Sequence, residues 1–397
     1  MKILVGKFLL NTKHSFRLIA VSLALISYSC GKSDLPIVEA VHPVVINQEG
    51  VKIDPQLITV EVSFVLAPTN ASAALAPLKY NKTSVINFEF DDNPSSAYDM
   101  YKYLRTQMYT DGTGKEISFR SAIAVNSRGN YNNGDLWENY LGNLSKVDAA
   151  DIISGGWTLE NHGLYHSVLN SKDNFGYGKL IADNISENTK YVFDKTGFKM
   201  RTLVVPSNDQ GYLFPAFQQG IIATTSTNHF EGYQSFPMYG DYVDVATLPH
   251  ANLHLRRDFN DKWDAAGINA IKTKITNLFN KSSTKERMLY RIGTHTPDLE
   301  AFKSLAAHIK ASSSDNCWVT SMQEMVEYLQ LKEKIIKKEI MSEGKLLITL
   351  DISKVDKETL FKDVSLLVNS GTAIQSIKVH NARASSSNLN GLVNISF

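Results

Sequence analysis

The nine residues from Ile58 to Leu66 alternate apolar and polar side chains, the period-two pattern of a half-buried strand. An Ala-, Pro- and Asn-rich stretch from Ala67 to Pro77 then reads as a linker, so a small N-terminal β element is expected ahead of the main domain. From Ser84 to about Lys332, strand-like and helix-like runs take turns. Val85 to Phe90, Ser121 to Val125, Thr202 to Val205, Ile221 to Thr225 and Met288 to Ile292 are the expected strands. Tyr98 to Tyr109, Lys179 to Asp194, Trp263 to Phe279, Leu299 to Ala311 and Met322 to Lys332 are the expected helices. Such alternation implies a parallel sheet, open or closed into a barrel, with its chemistry at the C-terminal ends of the strands. After a basic helix expected over Lys332 to Glu339, the helical pattern stops. Leu346 to Ile352, Val364 to Val368, Ile374 to Val379 and Leu392 to Phe397 follow as strands, predicting a small C-terminal β domain.

The start of the chain has a different pattern. Lys2, Lys7, Lys13 and Arg17, with no acid, precede the apolar run Leu18 to Ile26 and the small residues Ser27 and Ser29. That is the layout of a secretory signal peptide, too short to span a membrane. Ser29-Cys30-Gly31 is similar to a lipoprotein processing site, which makes Cys30 the expected lipidated residue and Gly31 to about Val44 a tether; an ordinary signal peptide with an incidental cysteine is the alternative. Without the four leader cations, the 41 basic residues become 37 against 40 acidic ones. No basic patch argues for nucleic acid. Of the two cysteines, only Cys317 then remains, so no intrachain disulfide is available and stability must come from the core. Cys317, beside Trp318, reads as a small buried hydrophobe.

Two short segments carry candidate chemistry. The run from Val85 to Phe90 ends in adjacent carboxylates, Asp91 and Asp92, followed by Asn93 and Pro94; alone, this also describes a solvated turn and helix cap. Further on, Asn161-His162-Gly163-Leu164-Tyr165-His166 places histidines at i and i+4. On a helical turn, this spacing puts both imidazoles on one face, able to grip a metal ion at ~2.0 Å, with one carboxylate completing a three-ligand site that keeps an open position.

Together these segments resemble the NodB-homology polysaccharide deacetylases, carbohydrate esterase family four, over about residues 84 to 332. Glu89-Phe90-Asp91-Asp92-Asn93 is similar to the family's Thr-Phe-Asp-Asp-Gly, and Asn161 to His166 is similar to its Asn-His-x-x-x-His. Arg291-Ile292-Gly293-Thr294-His295 is similar to its late strand ending in histidine, and Trp318 to Tyr328 to its closing strand and helix. The resemblance implies a distorted (β/α) barrel in which Asp91 is the general base, Asp92, His162 and His166 bind the metal, and His295 is the general acid. Asn93, Pro206 and Asn208 are the positions it implies for substrate binding. Zinc is the expected ion, with cobalt, nickel or iron suited to the same donors.

The chain departs from the family in two places. Val204 stands where the family has an arginine that pairs with the base, leaving Arg201 or Arg291 as substitutes. The Asp-plus-Trp motif that orients the acid histidine has no clear counterpart, with Asp241, Asp244 and Leu248 to Asn252 as candidates. His250 and His254 are either extra ligands or packing or surface residues. A His-Glu-x-x-His helix of the peptidase kind is missing. The expected organisation is a signal peptide over 1–29, a tether and short β segment over 30–80, the barrel over 81–333 and a separable β domain over 340–397. The expected activity is removal of acetyl groups, from nitrogen more than from oxygen, on an exported or cell-surface polysaccharide or oligosaccharide, by a protein on the membrane through its lipid. The alternative is a non-catalytic glycan-binding or structural lipoprotein on a degenerate barrel.

Overall fold

A computed structural model describes residues 56–92, 94–128, 146–166, 177–227 and 236–397, all in one compact unit spanning 45–397. Cys30, with the leader and tether, and Asn93 lie outside the described residues. No described helix is long and apolar enough to cross a membrane.

Strand β3 (Ser84–Asp91) is buried along its whole length, and the alternation of a strand sorts its side chains onto two faces. Phe88 and Phe90 turn to the helical layer: Phe88 meets Phe302 edge-on with centroids 5.1 Å apart, and Phe90 stacks on Trp157 at 5.8 Å. Asn87, Glu89 and Asp91 face the other way. Around β3 runs a parallel sheet in the order β8 (Leu253–Arg256), β7 (Ala223–Ser226), β6 (Thr202–Val204), β5 (Thr158–Asn161), β4 (Ala122–Val125), β3, β10 (Met288–Thr294). The short strand β9 (Asp258–Phe259) pairs with β10, and β11 (Cys317–Val319) pairs with the first half of β3.

This sheet curls. Thr225 on β7 donates to Glu89 on β3 at 3.1 Å. Four strand spacings in a flat sheet would separate them by ~19 Å. The two sides of the sheet are joined by the chain itself: Arg257 alone separates β8, flanked outside only by the two-residue strand Met238–Tyr239, from β9, which pairs with β10 on the other side. Among the described residues no ladder links β8 to β10, so the expected barrel is a curled parallel sheet with a seam bridged covalently.

Helices α1 (Ser95–Leu104), α2 (Lys146–Ser154), α3 (Tyr177–Thr196), α4 (Leu213–Gln218), α5 (Ala265–Lys281), α6 (Leu299–Ser313) and α7 (Met322–Lys334) alternate with the strands. Several starts follow capping rules: Asp264, Asp298 and Ser321 accept from the backbone N–H groups of Gly267, Ala301 and Glu324.

The terminal β segments do not stand apart as the sequence pattern predicted. Strand β1 (Leu57–Phe64) pairs with β13 (Lys345–Asp351) and β15 (Ile374–His380). Strand β2 (Ala71–Leu75), inside the expected linker, pairs with β14 (Asp363–Ser370). With β12 (Ile336–Ser342), β16 (Ala384–Ser387) and β17 (Leu392–Ser396), they make two four-stranded sheets sharing one apolar core. The basic helix expected over 332–339 is also replaced: α7 stops at Lys334, and seven residues from Ile336 form a ladder with β13. Antiparallel pairing outweighs local propensity there.

Helix α7 fastens the two cores together. Leu331 and Ile335 belong to the sandwich core. The fully buried Glu327 accepts from the backbone N–H groups of Leu360 and Phe361 on one side and from Arg201 on the other. Deleting residues 344–397 would strip partners from Ile58, Val60 and Val62, each worth ~1.5–3 kcal/mol when buried, and leave Glu327 with half its donors. We expect the truncated protein to lose its cooperative thermal transition; a folded, metal-binding remainder would show that the sandwich is separable after all.

Candidate metal and acid-base site

Strand β5 ends at Asn161, and the next five residues make a loop, not the helical turn the histidine spacing suggested. Gly163 has φ +77°, and a Cβ there would sit 2.5 Å from Asn184 Nδ2 and 2.7 Å from the Tyr165 carbonyl, so glycine is required. Helix α3 clamps the loop. Asn184 accepts from the Tyr165 N–H and donates to its carbonyl, while Asn161 Oδ1 accepts from Gly163 N–H and from Asn188. The result brings the His162 and His166 rings to 4.9 Å between centroids. A nitrogen of His162, Nδ1, lies 2.8 Å from the carbonyl of Val204, which can only accept. Its Nδ1 therefore carries the proton, and Nε2 points its lone pair into the site. That Nε2 is buried and has no hydrogen-bond partner among the described residues.

At the end of β3, Asp91 and Asp92 have different surroundings. Asp91 is 2% exposed, and Arg257 holds it with two bonds, Nη1 to Oδ1 at 2.7 Å and Nη2 to Oδ2 at 2.6 Å. Burial alone would raise its pKa; the Arg257 charge and hydrogen bonds outweigh burial and hold the carboxyl below its ordinary range. Asp92 has φ +65°, is 41% exposed at its side chain, and accepts from Asn126. Its Oδ1 is 3.7 Å from His162 Nε2 and 4.0 Å from His166 Nε2.

On the other flank, His295 follows β10. Asp261 grips it twice, Oδ1 accepting from the backbone N–H at 2.9 Å and Oδ2 lying 2.7 Å from Nδ1. Thr294 Oγ1, which Trp263 Nε1 reaches at 3.1 Å, also donates to Asp261. His295 Nε2 is then left facing Asp92 at 3.5 Å, with Phe259 edge-on to the ring.

Donor atoms of Asp92, His162 and His166 all lie within 4.8 Å of one another. A tetrahedral ion with ~2.0–2.2 Å bonds holds its donors about 3.3 Å apart, so a small contraction would seat one. One carboxylate and two imidazoles, with His162 already in the ligating tautomer, fit a divalent ion of the zinc type. The site opens on a cleft of about 410 Å³ lined by Asp91, both metal-type histidines, Asn208, Arg257, Phe259 and His295. Asn208 lines this cleft, with its Oδ1 accepting from Thr227, and Pro206 is buried.

Two expectations need correction. Neither Arg201 nor Arg291 pairs with Asp91: Arg201 is engaged with Glu327 and Asp356, and Arg291 with Glu89. Arg257 takes that role from the seam, and Val204 contributes a carbonyl instead. The partner of His295 is Asp261 in the run Asp261-Lys262-Trp263, while Asp241 lies nearest Arg256 and Asp244 caps a turn. His250 pairs with Glu333 at the surface, and His254 is buried against Thr224 and Ser226.

No protein-family model and no curated protein matches the sequence. Solved structures that resemble the fold include a family 4 carbohydrate esterase from Streptomyces lividans in complex with acetate, at 10% identity over 60% of this chain and 92% of that one, TM-score 0.37. Another is the chitin deacetylase of Colletotrichum lindemuthianum, at 11% over 64% and 89%, TM-score 0.38. A third is a family pseudoenzyme from Bacillus anthracis, at 11% over 62% and 66%, TM-score 0.39. Likenesses this distant leave the activity to be argued from the site.

The geometry divides the carboxylates by task. Asp92→Asn, His162→Ala and His166→Ala should lower metal affinity by 10- to 100-fold or more, whereas Asp91→Asn should keep the metal. Titration of metal content on each folded variant checks this, and equal occupancy of all four would remove the site.

Proposed function

We propose that this protein hydrolyses acetyl groups on a polysaccharide or oligosaccharide with the help of a divalent metal, zinc foremost, with cobalt, nickel or iron suited to the same donors. What supports this reading is the convergence on one cleft of three metal-type donors, a carboxylate held ionised by Arg257, and a histidine held by Asp261. When bound, a divalent ion at Asp92, His162 and His166 would polarise the acetyl carbonyl and lower the pKa of water, to about 7 in strong zinc sites.

The side chains supply the proton transfers. Asp91 accepts a proton as a water oxygen bonds to the acetyl carbon; each carboxylate oxygen keeps a lone pair beyond the one given to Arg257. The bond from that carbon to the sugar nitrogen or oxygen then breaks. His295 Nε2 donates its proton to the departing atom, and the Asp261 carboxylate steadies the imidazolium that supplies it. Acetate and a free amine or hydroxyl are the products. Asp91 returns its proton to solvent and His295 regains one. An amine leaves less readily than an activated alkoxide, so the acid matters most on amides.

A non-catalytic glycan-binding protein is the second reading, prompted in the sequence by a missing arginine and an unassigned partner for His295. Arg257 and Asp261 occupy those roles in space, so turnover decides between the two. Acetate release should be seen from at least one of chitin oligomers, peptidoglycan, poly-N-acetylglucosamine and acetylxylan, and should vanish on chelation. Asp91→Asn should reduce it by ~100- to 10,000-fold, and His295→Ala should lose more on amides than on activated esters. A fully metallated protein that releases no acetate from any of them favours the non-catalytic reading.

The same proposal places the protein at the cell envelope, probed through its N-terminus. Cys30→Ala should move it from the membrane fraction to the soluble one; unchanged membrane association would mean that the tether is something other than lipid on Cys30.

A further inference from the structure

Behind the cleft, the concave side of the curled sheet carries charge where parallel barrels ordinarily pack branched apolar side chains. Glu89 lies two residues before Asp91 on the same face of β3 and is 0% exposed. Its Oε2 accepts from Arg257 Nη1 at 3.2 Å and from Thr225 Oγ1 at 3.1 Å, and its Oε1 pairs with Arg291 of β10. Arg257 and Arg291 are buried as well. Four charges of alternating sign thus run from the interior to the cleft: Arg291, Glu89, Arg257, Asp91. Gly293 makes room for them, since a Cβ there would lie 2.7 Å from Arg257 Nη1 and 2.9 Å from its Cζ. Nη1 is shared between Glu89 and Asp91. A guanidinium bonded to Asp91 alone could tilt about that bidentate contact, and the bond to Glu89 removes this freedom.

We propose that Glu89 and Arg291 are positioning residues that hold the Arg257 guanidinium in the plane that aims Asp91 at the attacking water. This rests on the proposed deacetylation for its kinetic consequence, though not for its structural one.

The test is kinetic and structural on the metal-loaded protein. Glu89→Gln keeps the shape and removes the charge; it should lower kcat by ~10- to 100-fold while KM and metal occupancy stay within about twofold of the unaltered protein. Thr225→Val, a gentler loss of one donor to Glu89, should lower kcat less and in the same manner. Combined with Arg257→Lys, Glu89→Gln should cost nothing further, because it acts through Arg257. Crystal structures should show the guanidinium displaced from Asp91 in Glu89→Gln. Unaltered kcat in Glu89→Gln, losses that multiply in the double variant, or parallel loss of metal and KM would overturn the proposal. If Glu89→Gln does not fold, Thr225→Val and Arg291→Lys are judged by the same measures. If the unaltered protein releases no acetate from any substrate, the deacetylase reading fails by itself. The position of Arg257 in the variant structures then decides: displacement supports the positioning role, and an unmoved guanidinium refutes it.

Discussion

A carboxylate at the buried end of a strand has to be met by a cation, and the bidentate pair of Arg257 with Asp91 is the contact on which the rest of this structure depends. Taking an ionised carboxylate out of water costs several kcal/mol, and removing one partner of a buried pair typically costs about 3–5 kcal/mol. The cation that meets Asp91 sits at the single residue where the chain steps from one end of the sheet to the other. Curling the sheet and ionising Asp91 are therefore one event. A sheet that stayed open would leave Arg257 remote from β3 and the carboxylate neutralised by protonation instead of by charge.

The far end of the fold solves a related problem by other means. Helix α7 carries two buried glutamates. Glu324 is held by Lys79 and Arg120, which pull its pKa down to about 2 against the upward push of burial. Glu327 receives sandwich backbone N–H groups and Arg201. Because strands from both termini build that sandwich, these contacts tie the start and end of the described chain to the same helix. Lys79, Arg120 and Arg201 are thus engaged by the two glutamates of α7, and Arg257 and Arg291 by Asp91 and Glu89 in the sheet interior.

Periodicity located most of the long elements, because amphipathic helices report their buried face directly and buried strands stand out as short apolar-rich runs. β3, β10, α3, α5, α6 and α7 lie close to their expected positions. Short polar strands did not announce themselves: Thr158–Asn161 is buried at every residue yet carries Thr, Glu and Asn, since its neighbours are the polar interior and the site. The metal-type residues and His295 were legible as local motifs. Arg257 was not, because which of two adjacent arginines turns inward is decided by the seam, a contact between strands distant in sequence. Asp261 stands in the run Asp261-Lys262-Trp263, outside the segment from Asp241 to Asn252 where the partner of His295 was expected, and its contact with a residue 34 positions later identifies it. Pairing of Leu57–Phe64 with strands some 280 to 320 residues later left no local signal at all.

Adjacent carboxylates cannot ordinarily serve one site from within a strand, because neighbouring side chains on a strand point to opposite faces. Asp91 obeys the alternation and faces the interior, where Arg257 is. If β3 continued, Asp92 would turn toward the helices with Phe90. The backbone breaks the rule at that residue: φ +65° ends the strand and swings the second carboxylate over the same cleft, within reach of both histidines. A non-glycine residue in this region costs of order 1–3 kcal/mol, and the Asn126 side chain donates to the carboxylate presented there. The division of labour between a buried, arginine-bound carboxylate and an exposed, histidine-facing one follows from where the strand stops. A strand running one residue further would leave Asp91 on Arg257 but turn Asp92 toward the helices, and the histidines would have no third donor.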